Sequence, residues 1–325
     1  MKNAQLGERW RRKGRGRNVC LWQKKRRMNT VIQFMHPGDE HSIKSGTTWN
    51  NGAHKRKYLN IDGDYLTDLA SRPQNERLYF WGEWEAQSKA MPINSTEPDF
   101  PSIIFSPYYS STNAANICNT DPFAFGDSFY YCVCKQGHYS SLRDLNKGDI
   151  ILFGSCKHDQ FVLDTLFVVK GFYEYELEEI PTLKSKYNKT FYDVSLAPLH
   201  TAKCVSAATI INKDGICTPL NCNEEEERFP SKEVKKYRIY EAAMYEDRYE
   251  FDGLFSYVPC LPNTKGVEGF KRPNITKVDF ITNTLTQGIK ITPNADALTI
   301  WKEVTKQVLE QGLNLLIKTD LPTKK

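Results

Sequence analysis

The chain has no run of about 18 apolar residues, the length that a membrane-crossing helix needs, so no segment reads as a membrane span. Its nine cysteines include no Cys-x-x-Cys pair: Cys132 and Cys134 are spaced Cys-x-Cys, and four residues separate Cys217 from Cys222. Neither spacing is the doubled pattern of a structural zinc site. Residues 1–27 lack the apolar stretch of a secretory signal, so the cysteines are read as free thiols in a reducing compartment, and the expected location is cytoplasmic. There is no Gly-x-Ser-x-Gly elbow, no phosphate-cradling P-loop and no dinucleotide fingerprint. These absences argue against an NTPase, a dinucleotide-dependent oxidoreductase and a serine hydrolase of the elbow type. No internal repeat is found.

A chain of 325 residues is long enough to bury a core without disulfide or metal staples. Aromatic residues make up 12%, mostly Tyr and Phe, which favours strands. The formal charge of +5 is unevenly spread, because residues 1–27 hold eleven Lys and Arg against the single acid Glu8. Taking these from the 44 basic and 39 acidic residues leaves 33 and 38, net −5, for residues 28–325. A mildly acidic body does not offer the basic face that bulk binding of duplex nucleic acid requires. Residues 1–27 read as a basic, disordered leader that contacts nucleic acid, as a targeting segment, or as an upstream extension of a chain that begins at Met28. Residues 28–325 read as one large domain, with 185–235 as the one place where it would divide.

Residues 30–35 (TVIQFM) read as a strand, and "HKRKYLNIDGDYLTD" as a short ordered segment with an Asp-Gly turn at Asp62-Gly63. "RLYFWGEWE" follows as strand, and Ala90–Asn119, rich in Pro, Ser and Asn, as a long loop. "LRDLNKGDIILFGS" and "FVLDTLFVVKGFYEYE" read as two strands joined by the short polar "CKHDQ". Thr292-Pro293 supplies a helix N-cap and first turn, after which Leu298, Trp301, Val304, Val308 and Leu309 recur at helical spacing. The expected fold is α+β, a largely antiparallel, barrel-like sheet with a C-terminal amphipathic helix.

Several stretches carry chemistry. In "LYFWGEWE", a strand's period of two puts Trp81, Glu83 and Glu85 on one face and Phe80, Gly82 and Trp84 on the other. An indole beside two acceptors makes a floor for a nucleobase or a sugar, or simply a two-faced strand. Asp164 interrupts the apolar run "FVLDTLFVV", and a carboxylate buried there must be paired, hydrogen-bonded or protonated. Such groups are enriched at functional sites, though Asp164 would equally neutralise a buried arginine. The run His54-Lys55-Arg56-Lys57 is the one dense basic cluster of the body and a candidate phosphate contact; Arg272, in "GFKRP", sits in a second. His36, Asp39, His41 and His54 form a histidine–acid grouping that would hold a divalent metal.

Two stretches resemble known families. "HPGDE", following the first strand, is similar to the "HPDDE" motif of the zinc-dependent PIG-L/LmbE deacetylases. That likeness would make His36 and Asp39 zinc ligands, but Gly38 stands where the family has its base, and the family's later histidine-rich motif has no counterpart. The run Leu145, Gly148, Asp149, Ile151 and Phe153 resembles the turn-into-strand motif of the PUA/ASCH-like β-barrels, within residues 142–170. That resemblance implies a barrel holding a base or small ligand with aromatics stacked on it. The leading expectation is therefore a protein that binds a nucleotide or nucleic-acid base: Trp81 or Trp84 stacking, Glu83, Glu85 or Asp164 accepting hydrogen bonds, and His54–Lys57 with Arg272 on phosphate. Beside it stand a metal-dependent hydrolase or nuclease, with His36, Asp39, His41 and His54 joined by Asp164 or Glu83 in catalysis, and a non-catalytic interaction protein.

Overall fold

The computed structural model describes residues 28–36, 38, 40, 56–95, 97–109, 120–200, 210–211, 217–218, 236–283, 285 and 288–325. In chain order the strands are β1 (Asn29–His36), β2 (Lys57–Leu66), β3 (Gln74–Gly82), β4 (Ser88–Pro92), β5 (Ile103–Tyr109), β6 (Tyr130–Tyr131), β7 (Ile150–Lys157) and β8 (Gln160–Tyr175). They continue as β9 (Ile210–Ile211), β10 (Cys217–Thr218), β11 (Tyr237–Ala242), β12 (Val258–Pro262), β13 (Gly288–Ala295), β14 (Asn314–Thr319) and β15 (Thr323–Lys324). One sheet runs β13-β1-β7-β8-β11-β6, and β9 pairs with β10. In the other sheet β2 pairs β3, β3 pairs β12, β12 pairs β14, and β14 returns to β2, all antiparallel. Those four strands close a small barrel, and β5, β4 and β15 extend it on one side. The fold is mixed α and β, with parallel pairing confined to β1–β7, β2–β5 and β5–β15 among the described strands.

Most of β1 and β7 and the first part of β8 are buried on both faces, which is why they read as near-continuous apolar runs. Ile32, Phe34, Ile151, Phe153 and Phe167 share one core with the barrel residues Leu59, Leu78, Phe80 and Leu316. The alternate residues Val31, Met35, Ile150, Leu152 and Leu166 face a second core, with Tyr58, Tyr79 and Trp81. A helix at Ala297–Glu310 covers that second core with Trp301, Val304 and Val308.

Several local readings need correction. Asp62-Gly63 is not a turn but the middle of β2. A Cβ on Gly63 would meet Lys318 O at 2.4 Å, so the glycine is there to let β14 approach. Ala90–Asn119 is not one loop, since it contains the end of β4 and all of β5, paired antiparallel from Ser88↔Pro107 to Pro92↔Ile103. Pro92 sits at a strand end on an edge, where its missing N–H costs no ladder bond. Thr292-Pro293 lies in β13, and the helix Ala297–Glu310 is instead capped by Asp296, whose carboxylate accepts from Thr299 N at 3.2 Å.

The Gly148-Asp149 turn that feeds β7 has a plain physical basis. Gly148 has φ +88°, left-handed backbone that side chains disfavour. The Asp149 carboxylate accepts from Asn146 N at 2.7 Å, Thr30 N at 2.9 Å and Asn29 Nδ2 at 3.2 Å, tying the turn to the start of β1. Asp149→Ala leaves two main-chain donors without their acceptor, and a loss of about 1–3 kcal/mol in urea unfolding is expected. This turn leads into the six-stranded sheet, not into the closed barrel.

Candidate functional site

The ends of β1, β7 and β3 converge with the start of β2. His36, last in β1, is in register with Ser155 of β7, and Lys57, first in β2, is in register with Gly82, last in β3. Asp164 is delivered to the same place by a β-bulge: Phe153 pairs with Thr165 and Gly154 with Leu163, so Asp164 has no partner of its own in the ladder. A bulge re-aims the side chain it carries. Gly154 permits it, because a Cβ there would lie 2.2 Å from Val162 O and 2.5 Å from the Phe161 ring.

At the centre lies Arg56, 1% exposed. Its Nε donates to Asp164 Oδ2 and its Nη1 to Glu83 Oε2, both at 2.7 Å. Its Nη2 reaches His36 Nδ1. A guanidinium has only donors, so His36 Nδ1 accepts and the ring carries its proton on Nε2, 3.3 Å from Cys134 Sγ. Arg272 stands on the other side of Asp164. Its Nη1 donates to Ser155 Oγ at 3.0 Å and to Asp164 Oδ1 at 3.5 Å, and its Nη2 to Gly38 O. Its guanidinium carbon lies 5.3 Å from the centre of the Trp81 ring. The two arginines differ electrostatically. For Arg56, burial opposes the charge but the two adjacent carboxylates outweigh it, and its pKa rises. For Arg272, burial wins over the longer contact with Asp164, and its pKa falls.

The stretch "EWEAQ", which follows β3, is a bend rather than strand. Beyond Gly82 the chain turns, and Lys57 Nζ donates to Trp84 O at 2.6 Å from a fully buried position. Trp84 Nε1 donates to Gln87 O at 2.8 Å, and Glu85 N to Thr120 Oγ1 at 3.0 Å. Glu83, Trp84 and Glu85 are all buried. Trp81 and Trp84 go to different cores, with Trp81 Nε1 donating to Phe270 O at 2.8 Å. A cavity of about 10 Å³ lies beside Arg56, Glu83, Asp164, Trp81 and Phe153, room for about one water molecule.

Of the residues named from the sequence, His36, Arg56, Trp81, Glu83, Asp164 and Arg272 come together here. Trp84, Glu85 and Lys57 shape the adjoining bend. Arg56 and Lys57, from the "HKRK" run named as a candidate phosphate contact, are both buried and bonded to protein partners. His54, Lys55, Asp39, His41 and residues 1–27 lie outside the described residues. Among the described residues no group of three His, Cys, Asp or Glu is arranged to hold a metal ion, and no helix is long and apolar enough to cross a membrane. Sequence reasoning missed Asp121 and Ser155. The carboxylate of Asp121 accepts from three successive main-chain N–H groups, of Cys132, Val133 and Cys134, at 2.6–2.8 Å. Only the Cys-x-Cys spacing pointed at that turn, and it said nothing of an acid eleven residues before Cys132. Compared with family models, with curated proteins and with solved structures, the chain finds no match in any of the three.

Proposed function

We propose that the chain binds a nucleotide or a nucleic-acid base, and that the Arg56-centred network is the polar wall of its site. One observation carries the reading: residues singled out for their chemistry, from five separate stretches of sequence, meet in a single buried cluster of two guanidiniums, two carboxylates and an imidazole. Such a cluster is a poor way to gain stability, since well-packed apolar residues of the same volume do as well or better. Buried, mutually dependent charges concentrate instead where ligands are handled. Guanidinium donors beside carboxylate acceptors complement the mixed donor–acceptor edge of a base, and Trp81 lies under Arg272 as an apolar flank.

A base is far larger than the present cavity, so on this reading binding displaces pairs within the network, and the ligand takes over contacts that Arg56 and Arg272 now make with the carboxylates. The tryptophans beside the network report it. Titration with nucleoside mono- and triphosphates and short single-stranded oligonucleotides is expected to change tryptophan fluorescence saturably, with a Kd below about 1 mM for at least one base. Asp164→Asn is expected to weaken that binding by about tenfold or more. A flat response across the whole panel overturns the reading. It would favour the alternative of a non-catalytic interaction protein with a structural network, which rests on the engagement of Arg56 by three protein partners and the one-water cavity.

A further inference from the structure

Arg272 is the less firmly held of the two guanidiniums. Arg56 has a carboxylate at 2.7 Å on each of Nε and Nη1. Arg272 has two neutral acceptors, Ser155 Oγ at 3.0 Å and Gly38 O, and a 3.5 Å contact with Asp164, which Arg56 already holds. Burial works against its charge, and the carboxylates that support it are Asp164 and, farther off, Asp99.

Asp99 leads outward from the network. Its Oδ1 lies 2.8 Å from Lys157 Nζ and 2.9 Å from His158 Nε2, and these two contacts hold its carboxyl down to about 2. Lys157 ends β7, two residues after Ser155, so a strand's period of two puts both side chains on one face, about 6.5 Å apart. His158 follows in the two-residue turn into β8, where His158 and Asp159 both have the positive φ that such a turn requires. Exposure rises in the same order, from Arg272 at 6% through the partly buried Lys157 to the His158 side chain at 73%. Among the described residues these groups mark a line from the network to solvent, with Asp99 as the anion upon it.

We propose that Arg272, Lys157 and His158 form the phosphate subsite of the binding site, that Asp99 occupies it in the free protein, and that the ligand is a nucleoside di- or triphosphate. The nucleoside part rests on the binding reading, and the anion site on the geometry alone. One phosphate takes the place of the Asp99 carboxylate on Lys157 and His158. Another replaces Ser155 Oγ and Gly38 O on Arg272, because a guanidinium bonds phosphate oxygens in pairs and more strongly than neutral acceptors. The base edge is left to the inner part of the network.

Calorimetric titration of the full chain tests the subsite, with inorganic pyrophosphate and with nucleosides and their mono- and triphosphates. Pyrophosphate is expected to bind with a Kd below about 1 mM, and a triphosphate about tenfold or more tighter than its nucleoside. Lys157→Gln is expected to weaken pyrophosphate and triphosphate by about fivefold or more and to leave the nucleoside within about twofold. Asp99→Asn removes the resident anion and is expected to tighten both phosphate ligands by about threefold or more, a gain that a merely structural bridge would not give. Both side chains reach solvent, so neither substitution strands a buried charge. No binding of pyrophosphate, or phosphate affinities that both variants leave unchanged, overturns the proposal. Nucleosides that bind where pyrophosphate does not would keep the base-binding reading without this subsite. Pyrophosphate that binds where no nucleoside does would remove the base and keep the anion site.

Discussion

Arg56→Met is expected to lower stability by about 3–5 kcal/mol, seen as a shift of the urea midpoint at unchanged slope. The methionine fills much of the volume, so the loss is electrostatic rather than a packing defect. Glu83 and Asp164 each hold Arg56 at 2.7 Å, and both are nearly inaccessible. Without the guanidinium the two buried carboxylates lose their 2.7 Å counter-charge and keep only longer contacts to cationic or ionisable groups, Arg272 at 3.5 Å from Asp164 and the His36 ring at 3.8 Å from Glu83 among them. Their pKa values must then rise above the unfolded values. A carboxyl raised in the folded state binds its proton more tightly there than in the unfolded chain, so stability is lost as pH rises. The deficit of Arg56→Met is therefore expected to be largest above neutrality and to shrink toward about pH 5. Adding Glu83→Gln and Asp164→Asn to Arg56→Met removes the orphaned charges and is expected to recover more than half of the loss, a non-additivity expected of groups in one network. Arg272→Met is the contrasting case: burial already disfavours its charge, and about 1–2 kcal/mol is expected. A loss below about 1 kcal/mol for Arg56→Met would mean that the pair is far better solvated than its burial implies.

How much of this was legible in the sequence depended on whether the cause was local. Asp164 stood out because an acid in an apolar strand has no local excuse, and that inference needs no partner. The partner itself was hidden: Arg56 lies 108 positions away, in a run of cations that looks like a solvated surface. Charge density along the chain says nothing about burial when neighbouring cations turn into separate parts of the core, as Arg56 does toward Asp164 and Lys57 toward Trp84 O. The alternation in "LYFW" was readable, and Phe80 and Trp81 do face different cores. The period fails after Gly82, where the bend is set by Lys57 and Thr120, neither of which is near in sequence. Strands β4 and β5 were obscured by Pro, Ser and Asn, since an edge pair needs few apolar residues once the barrel supplies its ladder. Asp121 was invisible in principle. Its role is made by three amides that a turn happens to aim at it, and no composition or spacing rule encodes that.

The largest test of how the backbone builds the site uses two glycines of one hairpin. Gly154→Ala is expected to cost about 3 kcal/mol or more, and Gly171→Ala to change stability by less than about 1 kcal/mol in either direction. Both glycines sit in strands, so an argument from propensity alone would make both substitutions mildly favourable. The surroundings decide otherwise. A Cβ on Gly171 meets nothing within 4 Å, whereas one on Gly154 would lie 2.2 Å from Val162 O and 2.5–2.6 Å from two atoms of the Phe161 ring. A ring can rotate away, but a backbone oxygen on the paired strand moves only if the ladder moves. That ladder is where the bulge lies, with Gly154 opposite Leu163 and Phe153 opposite Thr165. Relief of the clash therefore shifts Asp164, and with it the 2.7 Å contact to Arg56 Nε. Gly154→Ala should accordingly resemble a weakened Arg56→Met, with a stability deficit that grows as pH rises. A deficit that is independent of pH would mean that the clash is absorbed by the Phe161 ring alone, and that the bulge holds Asp164 on Arg56 without help from this glycine.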